Sequence, residues 1–213
     1  METTVHVPAE QYDSMERQTR AATFGMWLFL GSEILFFSGL FAIYWSMRAR
    51  YGEVFLEAAR HSKLAIGTAN TVILLVSSYF VALGSSAPKR KAGNRTAVVC
   101  LLAAAALGVA FLTLKGIEYG EHFREGIYPA GLYHFKELPQ NGARMFFTLY
   151  FFMTGLHAIH VIIGVGLLLW LARRASRGDF DHEYYTPIEL GGMYWHLVDI
   201  IWLFLWPCFY LLR

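Results

Sequence analysis

The sequence predicts an all-α polytopic membrane protein: five transmembrane helices bundled in one domain that takes up the whole chain, residues 1–213. Three observations lead there. Five segments run continuously apolar for about the 20 residues that a helix needs to cross the hydrocarbon core. The composition is 56% hydrophobic and only 16% charged, against about 25% charged in an ordinary soluble domain. That leaves too little polar surface to face water on all sides, so lipid must cover part of it. The apolar segments are also unbroken rather than alternating, which excludes the two-residue period of a transmembrane barrel.

The spans are predicted at 24–47, 64–83, 96–119, 144–171 and 192–212. The polar N-terminal stretch carries Glu2, Glu10, Asp13, Glu16, Arg17 and Arg20 and has no basic start followed by a short apolar core. It is not a secretory signal peptide, and the first span is expected to serve as an uncleaved insertion signal. The links are short and polar. The segment 120–142, with Pro129, Gly131 and Pro139, is the longest and is expected to lie along the surface. Lysine and arginine are almost evenly divided between the two sides. The tight cluster Lys89-Arg90-Lys91 beside a span end favours a cytoplasmic N-terminus by the positive-inside rule.

Net charge of +2 argues against nucleic-acid binding. Cys100 and Cys208 fall inside apolar segments with no Cys-x-x-Cys spacing, so they read as small core residues rather than haem-attachment or metal ligands.

Chemistry must come from the ionisable groups inside the spans, which are costly there and usually face protein, water or a partner. Span one holds Glu33 among aromatic residues, a carboxylate whose charged form is penalised unless a cation or water pairs with it. It reads equally as a proton-exchanging or lipid-facing acid and as a structural acid bonded to another helix. Span two offers Asn70, whose amide is expected to bond a neighbouring helix. Span three ends with Lys115, Glu118 and Tyr119 on one face, where a local ion pair at the membrane edge is the plain account and the lysine can also snorkel to the interface. Span four places His157 and His160 three apart. The pair alone is too few ligands for a metal site, and helix–helix hydrogen bonding is the better reading, helped by Gly155, Ala158 and Gly164. Span five sets His196 and Asp199 three apart and strings Trp195, Asp199, Trp202 and Trp206 along one stripe. Its tryptophans suit an interface belt, Asp199 is expected to pack against protein, and Pro207 can kink the helix. No nucleophile with a base and no phosphate loop is present in the sequence.

The segments SEILFFSGLFAIY, NTVILLVSS, IEYGEHFREGIY, FFMTGLHAIHVIIG and YWHLVDIIWLFLWPCFYL stand in an order that resembles subunit III of the haem–copper respiratory oxidases. The resemblance covers about four-fifths of the chain and is closest to the bacterial five-helix cytochrome c oxidase form, which lacks the first two helices of the longer members. It implies an accessory subunit that flanks subunits I and II, binds no haem, copper or other metal itself, holds phospholipid in a V-shaped cleft and supports proton uptake during dioxygen reduction in the bacterial inner membrane. It places the carbodiimide-reactive carboxylate of the family on Glu33. The family's polar positions fall on Asn70, Glu118, Tyr119, His157, His160, Trp195, His196 and Asp199. Lys115 departs from the pattern, since glutamine is frequent there. Subunit III of a quinol oxidase or of a nitric-oxide-reductase-associated complex is the near alternative. An independent transporter or metalloenzyme built on Glu33 and the two histidines is the distant one.

Overall fold

The computed structural model describes residues 9–88, 94–129, 133–135, 138, 141–181 and 184–211. Six α-helices and one closing π-turn make up the described chain. They are α1 (Met15–Arg50), α2 (Gly52–Arg60), α3 (Leu64–Ser86), α4 (Asn94–Arg124), α5 (Asn141–Ser176) and α6 (Thr186–Trp206), with Pro207–Leu211 continuing α6 as the π-turn. Five of them are long and apolar enough to cross a membrane. The basic cluster at 89–91 lies outside the described residues.

The helices outrun the apolar segments because their ends are set by caps, not by hydropathy. Ser14 accepts a hydrogen bond from the Arg17 amide at 3.3 Å, so α1 begins in the polar stretch ahead of its apolar run. Pro187 sits in the first turn of α6, where its missing amide hydrogen costs nothing, and this moves the start of α6 back to Thr186. α2 is absent from the sequence prediction. It is amphipathic, with Phe55, Ala58 and Ala59 buried at helical spacing and Glu53 outside. The link after α4 also differs from expectation. Ile127, Phe135 and Leu138 are buried, so the described part folds back on the bundle rather than lying over it.

The core is the packed group α3, α4, α5 and α6. Small residues let these helices approach closely. A methyl group added at Gly164 would come within 2.8 Å of the Trp195 ring, and one at Gly108 within 2.7 Å of Val165. α1 leans on this group through α5 and α6 and leaves Phe24, Trp27, Leu28, Leu35 and Trp45 exposed. A groove of about 780 Å³ remains between α1 and α6, lined by Ile34, Phe37, Phe41, Trp45, Leu197 and Phe204.

Pro207 removes one backbone donor, and the chain widens there into the π-turn. Two contacts result. The Cys208 carbonyl accepts a hydrogen bond from the Tyr44 hydroxyl of α1. Tyr210 turns inward, its ring so close to α3 that a methyl group at Gly67 would lie 2.7 Å from it. Both cysteines are buried and free.

Candidate functional site

The polar groups inside the spans form three clusters at different depths. The first joins α1 to α5. The Glu33 carboxylate lies 3.1 Å from His160 Nε2, and His160 Nδ1 lies 2.9 Å from the Leu156 carbonyl one turn back on its own helix. A carbonyl only accepts, so Nδ1 carries a hydrogen. The contact at Nε2 then requires one more proton, held either by Glu33 or by the imidazole. Glu33 and His160 therefore share one proton between two helices. Phe37 packs edge-on against His160 at 5.3 Å, and Tyr194 donates to the His160 carbonyl at 3.0 Å, which fixes this turn of α5. Glu33 thus has the interhelical partner that a structural acid would have, while its side chain keeps 19% exposure, enough to meet lipid or water.

The second cluster is fully enclosed. Lys115 is 3% exposed and Glu118 1%. The expected local ion pair with Glu118 is present but enclosed, and the lysine does not snorkel, because three acceptors hold its ammonium inside. They are Glu118 at 2.9 Å, the Tyr150 hydroxyl at 2.8 Å and the Tyr210 hydroxyl at 2.9 Å. Tyr210 in turn donates to Glu118 at 2.7 Å. All three ammonium hydrogens have acceptors, which is the condition for a buried ion pair to be tolerated. Tyr119 flanks the cluster, its hydroxyl 2.6 Å from Thr154 and its ring 5.0 Å from the ammonium. Sequence reasoning found Lys115, Glu118 and Tyr119 but missed Tyr150 and Tyr210. Nothing in the local spacing signals a phenol arriving from another helix.

The third cluster joins α3 to α6. Ser78 Oγ lies 2.6 Å from His196 Nδ1. His196 thus bonds a serine of another helix that the sequence did not single out, while Asp199 Oδ1 has no hydrogen-bond partner among the described residues.

His157, three residues from His160, does not join it. Its ring is fully buried, stacked on Trp202 at 5.2 Å and edge-on to Phe111 at 5.7 Å. Neither ring nitrogen has a partner among the described residues, nor does the Asn70 amide, which was expected to bond a neighbouring helix. The histidine pair thus splits, one member to Glu33 and one to an aromatic stack. No group of three or more His, Cys, Asp or Glu side chains that could hold a metal occurs among the described residues. Trp195 and Trp202, read as candidates for an interface belt, are 1% and 0% exposed. Trp195 fills the space that Gly108 and Gly164 leave open, and Trp202 Nε1 donates to Thr71 at 3.1 Å. At the membrane edge, Lys63 pairs with Glu121 at 2.7 Å, and that hydrogen bond holds the lysine above its ordinary pKa.

Residues 11–212 match the family described as cytochrome c oxidase subunit III. The chain is 32% identical to the cytochrome c oxidase subunit 3 of Thermostichus vulcanus over 88% of its own length and 86% of the relative's. It is 31% identical to that of Ovis aries over 96% of its length and 72% of the relative's. The subunit 3 of Aepyceros melampus is 32% identical over 88% and 68%.

Proposed function

The chain belongs to the cytochrome c oxidase subunit III family, and on that premise we propose that it holds phospholipid beside the catalytic subunits and keeps their proton supply steady, with no active site of its own. It is an accessory subunit of a haem–copper oxidase, a multi-pass protein within a multi-subunit membrane complex. In this reading haem and copper are carried by subunits I and II, cytochrome c is the donor, and the complex sits in a bacterial cytoplasmic membrane with the N-terminus of this chain inside.

The observation that supports it is the groove between α1 and α6, with the Glu33–His160 pair beside it. Its walls are almost wholly aromatic and aliphatic, as an acyl chain requires, and Ile34 on the wall is the neighbour of Glu33. A carboxylate and an imidazole in hydrogen-bond contact can pass a proton from one to the other. That suits the pair to handling a proton at the edge of a lipid-filled space.

The test is Glu33→Ala in the intact oxidase. Initial turnover is expected to be retained, with faster loss of activity during sustained turnover or altered pH dependence of pumping, and with less phospholipid co-purifying. Wild-type behaviour in all of these would sink the proposal.

A further inference from the structure

Among the described residues, polar contacts tie α1 to the rest of the bundle at three levels. Near its start the Thr19 and Thr186 hydroxyls lie 3.3 Å apart. Near its end the Tyr44 hydroxyl donates to the Cys208 carbonyl of the closing turn. Between them the Glu33 carboxylate lies 3.1 Å from His160 Nε2. Much of the remaining surface of α1 is bare, with Trp27, Leu28 and Leu35 exposed. The middle contact reaches the groove between α1 and α6 directly. Phe37, one turn beyond Glu33, packs edge-on against the His160 ring at 5.3 Å and lines the groove, and Ile34 and Phe41 continue the same wall. Phe29, one turn before Glu33, stacks on Tyr194 of α6 at 6.1 Å.

The middle contact differs from the other two in what holds it. A threonine hydroxyl does not titrate, and the Tyr44 hydroxyl gives its hydrogen to a carbonyl. Glu33 and His160 are joined by one exchangeable hydrogen. His160 Nδ1 keeps its own hydrogen on the Leu156 carbonyl at 2.9 Å, so the ring is not placed to replace a hydrogen lost at Nε2. Once that hydrogen leaves, the lone pair of Nε2 faces a carboxylate, and both groups only accept. The contact that drew α1 to α5 then pushes it away. Resting on the reading of the groove as a phospholipid site, we propose that the Glu33–His160 contact is a proton-dependent latch on it. With its proton the latch holds α1 in and retains phospholipid; without it α1 swings out and phospholipid exchanges with the bilayer.

The proton step balances. The two side chains keep 19% and 16% exposure, so hydroxide or a buffer base can reach them. The base takes the shared proton, the bond to hydrogen breaks, its electron pair stays behind, and the pair passes from neutral to one negative charge. Neither group has a lysine or arginine partner among the described residues. From α6, Tyr194 faces the pair with its hydroxyl on the His160 carbonyl, while His196 is turned to Ser78 and Asp199 is buried between the core tryptophans of that helix. From α5, His157 is turned to Trp202 and Phe111.

The measurement is the distance between spin labels at Leu35→Cys on α1 and Ile163→Cys on α5, both exposed, in the intact oxidase in lipid nanodiscs. It is followed from neutral pH to about pH 10, near the ordinary lysine range, together with the exchange rate of labelled phospholipid. In wild type the distance is expected to lengthen as pH rises and exchange to quicken by about tenfold to a hundredfold, the factor carried by one hydrogen bond to a charged group. Glu33→Gln and His160→Gln each supply an amide that donates at every pH, so both are expected to stay at the neutral wild-type values throughout. Either serves if the other does not assemble. His160→Phe is expected to be open already at neutral pH. A wild-type distance that never changes would overturn the latch, as would glutamine variants that lengthen as wild type does, or a His160→Phe variant as closed as wild type. A distance that lengthens in a complex free of phospholipid would sink the lipid reading and leave the latch standing. Retained phospholipid with a constant distance would do the reverse.

Discussion

Replacing Lys115 by methionine tests the enclosed ion pair most directly. The substitution nearly conserves volume and removes the ammonium that donates to Glu118, Tyr150 and Tyr210. Breaking a buried pair by deleting one partner costs about 3–5 kcal/mol, because the remaining charge is stranded. Two features of the site pull the value to the lower end. Tyr210 continues to donate to Glu118. The stranded carboxylate can also take up a proton, which for an ordinary glutamate at neutral pH costs about 3.7 kcal/mol. Lys115→Met should therefore destabilise the subunit by about 3 kcal/mol. Adding Glu118→Met should recover about 2 kcal/mol of that, because neither charge is left, and the Tyr150 and Tyr210 hydroxyls, 3.3 Å apart, can bond each other. The assay is thermal or detergent-titrated dissociation of the subunit from the purified oxidase, with both single variants and the double completing a cycle. Single variants as stable as wild type, or a double variant whose cost equals the sum of the singles, would refute the reasoning.

Other consequences follow from the packing. Gly164→Ala should cost about 1–3 kcal/mol, measured in the same dissociation assay, because the new methyl group meets the Trp195 ring and neither helix has room to withdraw. Tyr44→Phe removes the buried bond to the Cys208 carbonyl and should cost about 1 kcal/mol in that assay, without changing haem content. The Lys63–Glu121 contact raises the lysine pKa, so its contribution is complete below the ordinary lysine range and disappears as pH rises through the raised value. Lys63→Met should remove a small alkaline component from the pH profile of stability, read from dissociation midpoints across that range. Both groups are partly exposed, so salt should weaken the effect.

The five spans could be read from the sequence because a run of apolar residues has one explanation in lipid, and Glu33, His160, His196 and Asp199 could be named because ionisable groups are rare there. Their partners could not. Ser78 and Tyr210 are ordinary in a span until a second helix brings His196 or Lys115 to them, and that depends on interhelical register. The Lys115–Glu118 pair could be read from its spacing, but its enclosure could not, for the same reason. Snorkelling is the rule for a lysine with no partner, and here two phenols and a carboxylate from three elements supply one. The tryptophans of α6 were assigned to an interface because proximity to a span end is visible in sequence. The glycines that make room for Trp195 on α4 and α5 count only once the helices are packed. α2 was missed because its nine residues are too short for a span, although its apolar spacing was there to find.

The turn that begins at Pro207 also bears on the order in which the subunit becomes whole. α1 leaves the ribosome well before Pro207, yet its C-terminal half is tied down by the carbonyl of Cys208, and the ammonium of α4 is completed by the hydroxyl of Tyr210. Both come from residues made long after α1. Until those residues arrive, the newborn chain has a loosely held first helix and a charged group in lipid without its full set of partners. A nascent subunit cut short before Pro207 would therefore be a marked substrate for membrane quality control, and only a chain that extends past the turn would hold α1 in place.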